Sequence, residues 1–205
     1  LRGFNFGGEE SRFVVDFAHS VLLVGGALLV SLAAPALVIG GMETRTSELL
    51  LVHGVRRTEL VLAQFAAITV ALGWLTILAI VATAGVLGTL DRSIDTMTVI
   101  RVICGEFPPL LVVSAAAVLA AVISRTAILA TSLTLVFAFA AHAAPVLAHA
   151  RERSVGWGRA GWMALDALLP NFAHATANVA GIGYSLAYAT VLLAGACVIF
   201  SHREF

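Results

Sequence analysis

Five long stretches of this chain carry no charged residue: Phe17–Met42, Leu60–Leu90, Phe107–Ser124, Thr126–Ala150 and Ala167–His202. The hydrocarbon core of a bilayer is ~30 Å thick, and about 20 apolar residues of helix cross it. Because water cannot bond to backbone groups inside lipid, a crossing segment of this kind must be helical. The runs therefore predict an all-α, polytopic membrane protein with five transmembrane helices.

The predicted spans form one transmembrane domain over residues 1–205 and lie at about residues 17–40, 55–87, 108–124, 127–148 and 182–200. A single arginine separates the third span from the fourth, which predicts a tight hairpin between them. Short interfacial helices are expected in the polar connections. The chain opens with leucine in a polar, glycine-rich segment, and we expect a sixth helix upstream of it.

Composition narrows the class of protein further. Hydrophobic residues make up 60% of the chain, and its mean hydropathy is +1.00. The formal net charge is zero, so no bulk attraction to nucleic acid is implied, and membrane lipids are the expected surroundings. Cys104 and Cys197 lie far apart without a paired spacing, which argues against a disulfide framework or a zinc site.

The connection between the first two spans, residues 42–59, has six charges in eighteen residues. Its acidic residues and its three consecutive leucines suit a short amphipathic helix at the membrane interface. Gly54 is expected to end that helix. A second mixed segment, residues 149–178, contains Trp157 and Trp162, which suit a membrane interface. It is either a re-entrant or external helical pair or a plain interfacial helix.

Three motifs resemble the ABC-2 type family of ABC-transporter permeases. The connection carries, in the family's order, Glu43, Arg45, Thr46, Leu50, Leu51, Arg57 and Glu59. Leu169-Pro170-Asn171-Phe172 precedes the last span, and Phe200-x-x-Arg203-x-Phe205 ends the chain. The resemblance covers nearly the whole chain and is nearest to the small six-helix permeases of the cofactor-export or copper-enzyme-maturation type. Gly54 stands where the family usually has proline.

This resemblance implies a multi-pass permease subunit of a plasma-membrane exporter that works by alternating access with a second permease chain. It implies that a separate ATP-binding cassette subunit drives transport, and this chain has no GxxxxGK[ST] phosphate loop of its own. The chain would not be an enzyme, and no cofactor is implied. The implied contacts with the ATP-binding subunit are Glu43, Arg45, Thr46, Glu48, Arg56, Arg57 and Glu59. The implied external gate is Pro170, Asn171 and Phe172.

The family's orientation puts the connection, Arg125 and the C-terminus in the cytoplasm. That arrangement places five arginines inside and seven outside, which the positive-inside rule does not support; the family's orientation is nevertheless the one expected here.

Two other functions stay open. One is a structural or assembly subunit that does not transport. The other is a haem- or metal-binding subunit built on His142 and His149, which lie seven residues apart, with His19 and His174 as further ligands. Glu106 falls at the end of a predicted span, where a solvated carboxylate is expected.

Overall fold

The computed structural model describes residues 10–89, 96–153, 169–170, 172 and 179–202. Every regular element in these ranges is an α-helix. Five of the helical segments found there are long and apolar enough to cross a membrane. The chain is therefore an all-helical, multi-pass membrane protein, and the predicted fold class is confirmed.

The described part of the chain forms seven helices: α1 Glu10–Glu43, α2 Thr46–Val52, α3 Arg57–Thr89, α4 Thr96–Cys104, α5 Phe107–Ile123, α6 Ala127–Arg153 and α7 Val179–Ser201. The long helices α1, α3, α5, α6 and α7 correspond to the five predicted spans. The short helices α2 and α4 lie in the connections. The third membrane segment, Met97–Ile123, includes most of α4 as well as α5.

Helix α1 begins at Glu10, so the polar residues before the predicted span, which starts at about Phe17, continue the same helix. The rings of Phe13 and Phe17, one turn apart, stack with their centroids 6.2 Å from each other. Such i, i+4 pairs stabilise a helix. The hairpin at Arg125 agrees with its prediction, since α5 ends at Ile123 and α6 begins at Ala127.

Helix α5 forms the centre of the bundle. It packs against α1, α3, α4, α6 and α7, and most of its residues are buried. Its sequence is rich in alanine and valine, and small side chains let neighbouring helix backbones approach closely inside a membrane. By contrast, α3 and α7 leave most of their apolar surface exposed, to lipid or to another chain.

The contact between α1 and α5 leads to a prediction about stability. A Cβ atom added at Gly26 would lie 2.7 Å from Leu110 Cδ1, whereas one added at Gly25 would meet nothing within 4 Å. Leu110 is itself buried, so its side chain has little room to shift, and Gly26→Val should overpack the contact and cost about 1 kcal/mol relative to Gly25→Val. Because the two variants share the same helix and side chain, their difference isolates packing. Equal thermal stabilities in detergent would contradict this contact.

Candidate functional site

The first region of interest is the connection between α1 and α3, residues 42–59, which we name the charged connection. It turns sharply after α1, where Arg45 adopts a left-handed backbone with φ of 56°. It then forms α2 and turns again at Gly54, whose φ of +90° is tolerated best by glycine. The predicted short helix is present, and it ends at the predicted glycine.

A Schellman motif terminates α2. The amide of Val55 donates to the carbonyl of Leu50 at 3.2 Å, and the amide of Gly54 donates to the carbonyl of Leu51 at 3.1 Å. These two bonds satisfy carbonyl groups that a helix end otherwise leaves without partners. The exit from α2 toward α3 therefore has a defined backbone geometry.

The start of α2 is packed against the end of α1. Ser47 is buried, and a Cβ atom at Gly41 would lie only 2.9 Å from its Oγ atom. The hydroxyl groups of Thr44 and Thr46 form a hydrogen bond of 2.8 Å across the turn. Displacing α2 would therefore also displace the C-terminal end of α1.

The start of α3 is tied to the C-terminal end of α7. Arg57 Nη1 donates to the carbonyl of Ser201 at 2.9 Å, across 144 positions of sequence. A cation is favourable there because the last carbonyls of a helix carry partial negative charge. Glu59 Oε2 accepts a hydrogen bond of 3.0 Å from the amide of Arg56, as in half of a capping box.

The seven residues predicted to contact an ATP-binding subunit therefore fall into two groups. Thr46, Arg57 and Glu59 make hydrogen bonds within the chain through their side chains. The remaining residues, Glu43, Arg45, Glu48 and Arg56, have exposed side chains. This second group is the part of the charged connection that can meet another protein without breaking a contact described above.

A second region of interest is an apolar groove of about 160 Å³ between α1, α5 and α6. The helices α1 and α6 are joined where Thr131 Oγ1 donates to the carbonyl of Ser31 at 3.0 Å. Next to this contact, Leu28 of α1 and Phe139 of α6 line the space, as do Pro109 and Val113 of α5. We call this space the apolar groove.

The polar end of the apolar groove brings together three residues that are distant in sequence. His19 Nε2 lies 3.4 Å from Glu106 Oε1, and the Glu106 side chain is only 14% exposed. His142 lines the same groove and is close enough to interact electrostatically with Glu106. The expectation of a solvated Glu106 is not met, because its side chain is mostly buried beside His19.

Helix geometry places this polar end far from the charged connection. With a rise of 1.5 Å per residue, Glu106 lies roughly 27 Å along α5 from Ser124, and His142 roughly 24 Å along α6 from Thr126. The hydrocarbon core is ~30 Å thick. Glu106 contacts His19 near the start of α1, whereas the charged connection follows the end of α1, so this polar end lies at the opposite end of the bundle.

The predicted external gate lies partly at this same end. Pro170 is buried, and Phe172 packs against the hydrophobic core and lines the apolar groove. Asn171 lies outside the described residues, as do His174 and the side chain of His149. Among the residues that the structure describes, no three His, Cys, Asp or Glu side chains are grouped to hold a metal ion.

No protein-family model, curated protein or solved structure matches the chain. Any functional assignment therefore depends on the residues themselves and on the geometry of the charged connection and the apolar groove.

Proposed function

We propose that this chain is the membrane-spanning permease subunit of an ABC-2 type exporter in the plasma membrane. It works with a second permease chain and with ATP-binding cassette subunits that hydrolyse ATP. The single observation that carries this proposal is the form of the charged connection. A short helix stands between two long spanning helices, is packed on one of them, and presents free charges at the end of the bundle.

A coupling element must transmit force, so it cannot move independently of the spanning helices. Packing of Ser47 against Gly41 joins α2 to α1, and the Schellman motif fixes the backbone that leaves α2 two residues before α3 begins. The bond from Arg57 to Ser201 extends that body to α7. A partner that binds α2 differently in two nucleotide states would therefore bias all three spanning helices together, which alternating access requires.

Charge reversal at Glu43 tests the proposal without weakening the fold. Glu43 is exposed and is the last residue of α1, where a cation suits the helix better than an anion does. Glu43→Arg should therefore keep its thermal stability. It should reduce the stimulation of ATP hydrolysis in a co-purified ATP-binding cassette protein by about tenfold, because a reversed charge in an electrostatically complementary interface is repelled.

The matched control reverses a charge at the other end of the bundle. Arg101 is exposed in the last turn of α4, so Arg101→Glu should leave the stimulation unchanged. Equal stimulation by wild type and both variants would overturn the coupling role of the charged connection. Stable co-purification with partners but no effect on ATP hydrolysis would favour an assembly subunit instead.

A further inference from the structure

The apolar groove opens sideways. Its walls include Val24, Leu28 and Phe139, all large apolar side chains that are exposed, with Phe139 71% exposed. These positions lie on membrane-spanning helices, so their exposed faces meet hydrocarbon. A molecule dissolved in the bilayer can therefore reach the groove without crossing water. A cavity of similar size in other proteins holds a benzene-sized apolar group.

The carboxylate at the polar end has capacity for a further partner. Glu106 caps the start of α5 without a side-chain capping bond. A capping side chain usually accepts a hydrogen bond from a backbone N–H group in the first turn of its helix. Pro108 and Pro109 in the first turn of α5 have no N–H group to donate to Glu106. The contact with His19 Nε2 at 3.4 Å is longer than a good hydrogen bond. An ionised carboxylate accepts up to about four hydrogen bonds.

The single negative charge in the lining of the apolar groove favours a ligand with a positively charged head group. Within the described lining, Glu106 is the one residue of formal charge, and all other lining residues except His142 are apolar. We propose that the apolar groove binds a cationic amphiphile, with its protonated amine on Glu106 and its alkyl portion against α1, α5 and α6. That this amphiphile is also the transported substrate rests on the proposed function.

The test measures binding of dodecylamine and of dodecanol to the protein in phosphatidylcholine nanodiscs, with empty nanodiscs subtracted. Glu106→Gln keeps the shape of the side chain and removes its charge. Because hydrogen bonds between charged groups are roughly twice as strong as neutral ones, this variant should bind dodecylamine at least about tenfold more weakly. Its binding of dodecanol should be unchanged, which also shows that the variant is folded.

A second pair of variants tests the groove itself. Ala138 lines it, so Ala138→Trp should fill the space and abolish binding of both molecules. Ala82 is exposed on α3, away from the groove, so Ala82→Trp should leave both affinities unchanged. Wild-type dodecylamine affinity in Glu106→Gln, or wild-type binding in Ala138→Trp, would overturn the proposal.

This binding experiment needs no ATP-binding subunit, so its failure is distinct from failure of the exporter proposal. If binding holds and Glu43→Arg has no effect on ATP hydrolysis, the groove remains a ligand site, and the coupling role of the charged connection and the substrate assignment both fall. If binding fails and Glu43→Arg abolishes stimulation, the exporter assignment stands and its substrate binds elsewhere.

Discussion

Replacing Ala117 with phenylalanine is expected to leave little monodisperse protein in detergent. Ala117 is 0% exposed on α5, the helix that packs against all four of the other spanning helices. A phenyl ring there must displace a neighbouring helix, and overpacking of this kind costs about 3 kcal/mol or more. Thermal unfolding should then begin roughly 10 °C lower in the fraction that folds. Size-exclusion chromatography and a thermal scan measure both effects.

The matched control places the same ring on a surface that faces out of the bundle. Ala66 is exposed on α3, so Ala66→Phe should change stability little and leave the elution profile unchanged. If Ala117→Phe were as stable as Ala66→Phe, α5 could not be the central helix.

Reversing the charge of Arg57 should both destabilise the protein and uncouple it from its proposed partner. Arg57→Glu removes the hydrogen bond to the Ser201 carbonyl and places an anion at the negative end of α7. The combined cost should be about 1–2 kcal/mol, which corresponds to a fall in the melting temperature of roughly 5 °C. The same variant should stimulate ATP hydrolysis poorly, because the link between the charged connection and α7 is lost.

The variant Arg56→Glu should show the effect on coupling without an effect on stability. Arg56 is exposed, and its backbone amide, not its side chain, makes the bond to Glu59. Arg56→Glu should therefore melt like the wild type and still lose stimulation of ATP hydrolysis. If Arg56→Glu and Arg57→Glu had the same melting temperature, the tie between α3 and α7 would contribute nothing measurable to the fold.

The local structure of the charged connection was largely predictable. Six charges between two apolar runs indicated an interfacial segment, and Gly54 indicated the end of its helix, because glycine adopts a positive φ readily. The left-handed turn at Arg45 had no such signal, since arginine seldom adopts this conformation. Two residues after this turn, Ser47 packs against Gly41 of α1, a contact between two helices that no local pattern indicates.

The contacts at the polar end of the apolar groove could not be predicted from the sequence. Glu106 before two prolines, at the edge of an apolar run, was a signal that pointed to a helix start and equally to a solvated acid. His19 lies 87 positions earlier (106 − 19), and no local pattern relates the two residues. Their contact depends on how α1 and α4 pack around the start of α5.

The sequence by itself determined that the chain is a multi-pass helical membrane protein, with five spanning helices in the part that the structure describes, and where its polar connections fall. The bilayer imposes that result on any chain with such apolar runs, since a backbone without water must bond to itself. Only the tertiary structure decided which helix lies at the centre, which charged side chains bond within the chain, and that Glu106 contacts His19 in a groove that His142 also lines. Those outcomes come from packing between segments distant along the chain, and nearly uniform apolar helices carry little sign of which faces will meet.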